Sequence, residues 1–185
     1  MKKLLPKVLL MTFVGILMTS LTYAQADKSK RASPPETATG TVDGSTITIN
    51  YSSPAVKGRK IWGGLVPYDK VWRLGANEAT IFETSKDIEV EGKKLPAGKY
   101  SLYAIPGKNE WTFIFNSKTV DNGKPVWGIK DEKGTTTEDP ANDVLRVTAK
   151  PKKSSTFNER MKFNVNEDGF DVEWENLKVP VKIDD

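Results

Sequence analysis

Apolar and polar residues alternate along most of the chain from Thr37 onward, and residues that favour turns interrupt the alternation. This period of two is typical of antiparallel strands, because successive side chains of a strand point to opposite faces. In the first segment, TATGTVDGSTITINY, the dipeptide Asp43-Gly44 lies between two alternating stretches. Asp-Gly in that position is the strongest short-range signal for a β-hairpin. We therefore expect the domain to begin with a hairpin.

The same alternation recurs in two later groups of strand-length segments, at residues 79–116 and 143–184. Together with the hairpin they make about eight or nine strands, with a turn roughly every 8 to 12 residues, which is typical of a sandwich. Beyond the N-terminal segment no stretch favours a helix of ordinary length, although YDKVWRLG is compatible with one helical turn ended by Gly75. The sequence predicts an all-β, antiparallel β-sandwich with little helix.

Two long connections interrupt this pattern, at residues 52–77 and 117–142. Loops longer than about 12 to 15 residues in a compact domain are usually functional or disordered. The first connection contains two tryptophans, a tyrosine and several aliphatic residues, a composition that is too apolar for disorder. The second is apolar around Val126-Trp127-Gly128 and otherwise acidic and rich in threonine. The first connection is therefore the better place to look for a site.

The N-terminus has the three parts of a secretory signal peptide. Three lysines accompany an apolar run at residues 8–21, and small residues follow at Ala24 and Ala26. We expect residues 1–26 to be removed during export to the periplasm or cell envelope. A retained membrane anchor is the alternative, but the apolar run is shorter than the ~18 residues that usually span a bilayer.

The remaining chain has the size of one domain. Residues 27–35, DKSKRASPP, are polar and end in proline, so we expect them to form a flexible lead-in. Residues 36–185 are long enough to bury a core of their own. Because the chain has no cysteine, this core has to be stable in an oxidising compartment without disulfides.

The charge balance argues against a nucleic-acid partner. The whole chain has 28 basic and 24 acidic residues, and the predicted signal peptide accounts for three of the lysines and none of the acids. The rest therefore has 25 basic and 24 acidic residues, a net charge of +1. Nucleic-acid binding needs a basic patch or stripe on the folded domain. We expect no membrane span after removal of the signal peptide, and the sequence identifies no protein partner.

Three segments carry a resemblance to a known family: SPAVKGRKIWGGLVPYDKVWRLGANEAT, GKKLPAGKYSLYAIPGKNEWTFIFN and DVLRV. They resemble the secreted bacterial domain-of-unknown-function family 2911, over nearly all of the chain from about Ser33 to the end. The stretches GRKIWGGLVPYDKVWR and GANEAT are the most specific parts. The resemblance implies an all-β fold and export, and it brings no established reaction, ligand or catalytic residue.

The absence of histidine and cysteine limits the available chemistry. It excludes Ser-His-Asp and Cys-His catalysis, histidine-based metal sites and thiol redox reactions. An enzyme would have to use carboxylates, as a glycan hydrolase can. Glu78 and Glu83 are expected on opposite faces of a strand, and Asp171, Glu173 and Glu175 follow the solvated face of another. We therefore predict no catalytic residue and no cofactor.

An acidic run in the second connection, at residues 131–143, offers oxygen atoms that could bind calcium. The run lacks the Asp-x-Asp-x-Asp-Gly spacing of a specific calcium loop. A solvated acidic loop is the favoured interpretation, and no metal site is predicted.

The best candidate for a binding site is a set of polar and aromatic residues in and just after the first connection: Arg59, Trp62, Tyr68, Trp72, Arg73, Asn77 and Glu78. Aromatic rings can stack on sugars, and arginine can bind carboxylate, sulfate or phosphate. In the alternative interpretation, Trp62 and Trp72 plug the end of the core. Arg73, Asn77 and Glu78 then satisfy backbone polar groups of the connection. An ion pair between Arg73 and Glu78 is compatible with both.

Three functions are therefore open. The favoured one is a non-enzymatic binding domain for a carbohydrate or a small anionic ligand, with its site on the face formed by residues 52–78. The alternatives are a carboxylate-dependent glycan hydrolase or lyase, and a structural or protein-interaction module of the cell envelope.

Overall fold

The computed structural model describes residues 27–121, 123–126 and 138–184. The predicted signal peptide and the middle of the second connection, residues 127–137, lie outside the described residues. Within the described part, no helix is long and apolar enough to cross a bilayer.

The described residues form twelve strands: β1 (Pro35–Val42), β2 (Ser45–Ser52), β3 (Thr80–Thr84), β4 (Ile88–Val90), β5 (Lys93–Leu95), β6 (Gly98–Pro106), β7 (Trp111–Asn116), β8 (Val120–Asp121), β9 (Lys124–Pro125), β10 (Asp143–Ala149), β11 (Lys152–Asn166) and β12 (Gly169–Asp184). The helical elements among the described residues are two 3-10 turns, Lys28–Lys30 and Pro140–Asn142.

Two antiparallel sheets enclose one core, which confirms the predicted all-β sandwich. The larger sheet has the order β1-β2-β3-β6-β7-β10, and the smaller has the order β11-β12-β4-β5. β8 and β9 pair only with each other, within the second connection. The strands outnumber the expected total of about eight or nine because this hairpin and the three-residue strands β4 and β5 add to it.

The core is built from the alternating apolar positions of both sheets. The larger sheet contributes Phe82 and Phe113, and the smaller contributes Phe170 and Val172. The predicted first hairpin is present: β1 pairs with β2 across Asp43-Gly44, whose φ angles are 44° and 73°. Two positive φ angles are the geometry that the Asp-Gly signal predicts.

The helical turn considered for YDKVWRLG does not form. Trp72 instead pairs with Ala104 of β6: the N–H of Trp72 donates to the carbonyl of Ala104 at 2.7 Å, and the N–H of Ala104 donates to the carbonyl of Trp72 at 2.9 Å. β3 begins its pairing with β6 at Thr80, opposite Leu102. Trp72 therefore lies beside β6 in extended conformation, on the same side as β3 and just beyond the point where β3 begins.

Two acidic residues of β12 differ from the predicted solvated face. Asp171 and Glu173 are buried, with 1% and 9% of their surface exposed. Lys178 lies 2.9 Å from Asp171 and 3.3 Å from Glu173, and Lys162 lies 3.2 Å from Glu173. Burial of a charge is tolerated when an opposite charge compensates it, and these lysines supply that compensation.

Candidate functional site

The first connection crosses from one sheet to the other. Near its start, the N–H of Val56 donates to the carbonyl of Glu159 at 2.8 Å, and the N–H of Met161 donates to the carbonyl of Pro54 at 2.9 Å. These contacts fix it to β11 in the smaller sheet, whereas Trp72 fixes its other end to β6 in the larger sheet. The connection therefore bridges the two layers of the sandwich.

Trp62 and Trp72 join Trp111 of β7 and Trp174 of β12 in a four-tryptophan cluster. The ring centroids of contacting pairs are 5.1 to 6.1 Å apart, and four of the five contacts are edge-to-face. The indole nitrogens of Trp62, Trp111 and Trp174 are buried without an acceptor among the described residues. Edge-to-face packing directs the positive ring edges at neighbouring π faces. These contacts occupy ring surface that a stacked sugar would need.

Tyr68 and Arg59 stabilise turns of the connection. The ring of Tyr68 lies against Gly63, where φ is 70° and a Cβ would come within 2.8 Å of the ring. Arg59 donates its Nε to the carbonyl of Val56 at 3.1 Å and its Nη2 to the carbonyl of Ala55 at 2.5 Å. The guanidinium of Arg59 is therefore engaged by backbone acceptors.

Asn77 and Glu78 bind the lead-in segment. The side-chain amide of Asn77 donates to the carbonyl of Ser33 at 3.0 Å, and Glu78 lies 2.7 Å from Arg31 and 3.1 Å from Lys28. Burial alone would raise the pKa of Glu78, but hydrogen bonds from Arg31, the backbone and Lys28 outweigh it and lower the pKa to about 2. These contacts tie residues 28–33 to the domain, while the flexibility expected of the lead-in stays a prediction.

Arg73 differs from the other candidates because its side chain has no partner among the described residues. Since Trp72 faces the core, its neighbours Val71 and Arg73 lie on the outer face of the larger sheet. Val71 packs there against a small cluster formed by Ala79, Tyr103 and Ile114. Arg73 is half-buried, and within the described part of the chain its side chain makes no hydrogen bond or ion pair; its Nε is fully enclosed.

Burial lowers the pKa of Arg73, and no charge of a described residue opposes the effect. The ion pair considered between Arg73 and Glu78 does not form, because the carboxylate of Glu78 is taken up by Arg31 and Lys28. The guanidinium of Arg73 is thus partly desolvated and uncompensated by any described residue. It can accept an anion without first breaking a contact with a described residue.

Sequence reasoning missed that the carboxyl groups of Glu138 and Asp143 meet at the start of β10. Nη2 of Arg146 lies 2.8 Å from Glu138 and 2.6 Å from Asp143. The side-chain amide of Asn116 donates to Asp143 at 2.8 Å. Burial, a hydrogen bond with Asp143 and the charge of Asp143 raise the pKa of Glu138 to about 7, against the opposing effect of Arg146.

The solvated-loop interpretation is therefore wrong for Glu138, whose side chain is only 4% exposed. Asp131 and Glu132, the first acids of that run, lie outside the described residues. Among the residues that are described, no group of three or more acids could hold a metal ion. The spacing between Asp143 and Arg146 is visible in the sequence, but their contact with Glu138 depends on where the second connection returns to the sheet.

A family model described as "Protein of unknown function (DUF2911)" matches residues 33–183. The chain belongs to this family. No curated protein and no solved structure matches it. Membership of the DUF2911 family confirms the resemblance carried by GRKIWGGLVPYDKVWR and GANEAT, and it assigns no activity.

In this DUF2911 domain the seven candidate residues do not converge on one point. Trp62 and Trp72 pack in the four-tryptophan cluster. Turns of the connection are stabilised by Arg59 and Tyr68, and the lead-in is held by Asn77 and Glu78. Arg73 alone combines a charged, hydrogen-bonding group with the lack of a described partner. The chemistry that the arrangement favours is recognition of an anion.

Proposed function

We propose that this DUF2911 domain binds a small anionic ligand through Arg73. The observation that carries the proposal is a half-buried guanidinium with no hydrogen-bonding or anionic partner among the described residues. Desolvation of a charge without a counter-ion is unfavourable, and arginine forms strong, charge-assisted hydrogen bonds with carboxylate, sulfate and phosphate groups. A bound anion would supply the interaction that the described protein groups do not.

The surroundings of Arg73 favour an anion over a neutral sugar. Val71 packs beside it against a buried apolar cluster, and a weakly solvated environment strengthens a charged contact. The rings on which a sugar would stack, those of Trp62 and Trp72, contact other tryptophans instead. Of the two ligand classes expected from the sequence, we therefore favour the anionic one.

Thermal unfolding and calorimetric titration of the purified protein test this function. The probes are phosphate, sulfate, citrate and glucuronate, with glucose as a neutral comparison, all at matched ionic strength. A ligand present at about 100 times its Kd stabilises the folded state by about 2.7 kcal/mol. We expect at least one of the anions to raise the Tm of the wild type.

Two variants separate a site at Arg73 from a general effect of charge. Arg73→Met removes the guanidinium and retains an apolar side chain of similar length. Lys70→Met removes an exposed charge three positions earlier in the same connection. The anion response should disappear in Arg73→Met and persist in Lys70→Met. An equal response in wild type and Arg73→Met would contradict the proposal, and a glucose response retained in Arg73→Met would favour the carbohydrate class.

We further propose that the domain acts after export, in the periplasm or cell envelope. The N-terminal arrangement of lysines, an apolar run and small residues supports it. Fractionation of cells producing the full chain, with the mass of the mature N-terminus, tests this. An uncleaved protein in the cytoplasmic fraction would contradict it.

A carboxylate-dependent hydrolase or lyase is the second candidate, and Glu138 is the observation that favours it. A carboxyl group with a pKa near 7 holds a proton at the pH where a general acid must donate one. Glu138 is hydrogen-bonded to Asp143, however, which is closer than the ~5 to 10 Å between the carboxyl groups of glycosidases. If the wild type turns over glycosides or polyuronates and Glu138→Gln does not, the function of the domain is catalysis rather than binding.

A further inference from the structure

The smaller sheet contains a cavity of about 350 Å³ between two parts of β12, and Arg73 is not among its lining residues. β12 bends at Glu175, a residue with φ 55°. Its end returns to the turn before its start, where the N–H of Ile183 donates to the carbonyl of Asp168 at 2.9 Å. Gly169 permits this approach, because a Cβ there would collide with the carbonyl of Val181.

The inner part of the cavity is polar but internally compensated. Asp171 lies 2.9 Å from Lys178 and accepts a hydrogen bond from the side-chain amide of Asn164 at 2.7 Å. Pro180 also lines the cavity and adds apolar surface. Phe170 reaches the lining too, but its ring packs in the core, with 1% of its surface exposed. These groups shape a mixed interior, and none of their charges needs a ligand.

Two exposed side chains of the lining, one basic and one acidic, form no hydrogen bond or ion pair with a described residue. Lys152 and Asp168 both line the cavity and are exposed. Within the described part of the chain, neither side chain forms a hydrogen bond or an ion pair. The charge of Asp168 helps to raise the pKa of Lys182, but the ion-pair partner of Lys182 is Asp184, at 2.9 Å. The lining therefore contains an ammonium group and a carboxylate that are open to a ligand.

We propose that this cavity binds a free α-amino acid in its zwitterionic form. The ammonium group of the ligand contacts Asp168, its carboxylate contacts Lys152, and its side chain lies against Pro180. A ligand with a single charge would contact only one of the two lining groups. The volume of about 350 Å³ lies at the lower end of the ~300 to 1,000 Å³ range of small-molecule pockets, which suits one amino acid. This site is independent of anion binding at Arg73.

Calorimetric titration and NMR of the purified protein test the cavity with L-alanine, L-leucine and L-phenylalanine. Two analogues of leucine separate the charges: 4-methylpentanoate lacks the ammonium group, and isopentylamine lacks the carboxylate. The cavity variants are Asp168→Asn and Lys152→Gln. Their matched controls are Glu167→Gln and Lys153→Gln, adjacent exposed residues outside the lining. All four substitutions are at the surface, and the Tm of each variant checks that it is folded.

We expect saturable binding of at least one amino acid, with chemical-shift changes at residues 168–171. Each cavity variant should weaken binding by about tenfold or more, because it leaves a charged group of the ligand without its partner, while the controls retain wild-type affinity. The proposal is overturned by any of three results: no saturable binding of the three amino acids up to about 20 mM, equal binding of the singly charged analogues, or equal binding by the cavity variants. Anion binding at Arg73 is measured with other probes, so either site can fail without the other.

Discussion

Trp72 and Arg73 are adjacent in the chain and lie in opposite environments. Trp72 is 8% exposed and contacts three other tryptophans, whereas the side chain of Arg73 makes no hydrogen bond or ion pair with any described residue. Extended backbone beside β6 produces the difference, because it sends successive side chains to opposite faces of the sheet. The comparison shows that adjacent residues of one segment can have different roles: one packs in the core, and the other is left available for binding.

Removing the side chain of Trp72, which faces the core, should have the largest effect on stability. Trp72→Ala should reduce the free energy of unfolding by about 3 to 5 kcal/mol, because it leaves a cavity among three neighbouring indoles. Urea unfolding followed by circular dichroism measures the loss. Trp62→Ala is the control: its ring is only half-buried, so the loss should be smaller. A loss below about 1 kcal/mol for Trp72→Ala would show that the cluster does not close the core.

The charged contacts of the lead-in should contribute less. Glu78→Gln should reduce the free energy of unfolding by about 1 kcal/mol at pH 7, since the interactions with Arg31 and Lys28 are partly exposed. The pKa of Glu78 falls from 4.5 to about 2 on folding, so its contribution is present above about pH 4.5 and is lost as the pH falls towards 2. Thermal unfolding between pH 2 and pH 7 should therefore be less pH-dependent in Glu78→Gln. The matched variant Glu83→Gln, at an exposed pair with Lys99, should keep the wild-type profile.

Glu138 should show the opposite pH dependence. Its pKa rises from 4.5 to about 7 on folding, so the stability that it contributes is fully present below about pH 4.5 and is lost as the pH rises through 7. Glu138→Gln, which resembles the protonated form, should raise the Tm at pH 8 relative to the wild type. Glu110→Gln changes an exposed carboxylate of the same length and should not. A lower Tm of Glu138→Gln at pH 8 would contradict the raised pKa of Glu138.

The smallest expected change in stability is that of Arg73→Met. Methionine retains most of the apolar contact of the arginine stem and removes a partly desolvated charge. The free energy of unfolding should therefore stay within about 0.5 kcal/mol of the wild type or rise slightly. A loss of about 2 kcal/mol or more in urea unfolding would mean that Arg73 is a structural residue after all.

Local rules explain why much of the fold could be predicted from the sequence. Alternation with a period of two indicates strands wherever one face is buried, and Asp43-Gly44 fixes a two-residue turn through its positive φ angles. Phe113 and Trp174 occupy apolar positions of this alternation and lie in the core. The alternation misjudged Asp171, because a buried carboxylate is stable only with a compensating lysine, and Lys178 reaches it through the bend of β12.

The candidate site was less predictable because its contacts join residues that are distant in sequence. Glu78 finds its partner 47 positions earlier, in Arg31, which no local pattern pairs with it. Glu138 and Asp143 become a buried pair only where the second connection returns to β10 beside Asn116. Composition drew attention to the first connection. It could not distinguish the guanidinium of Arg59, which backbone carbonyls bind, from that of Arg73, which has no partner among the described residues.

The most direct test of the account is a calorimetric titration of wild type, Arg73→Met and Lys70→Met with the four anions at constant ionic strength. We predict saturable binding of at least one anion to the wild type and to Lys70→Met, with affinity about tenfold or more lower in Arg73→Met, since a charge-assisted hydrogen bond is lost. Equal affinities in wild type and Arg73→Met would contradict the assignment of Arg73 as the anion-binding residue. So would the absence of binding by all four anions.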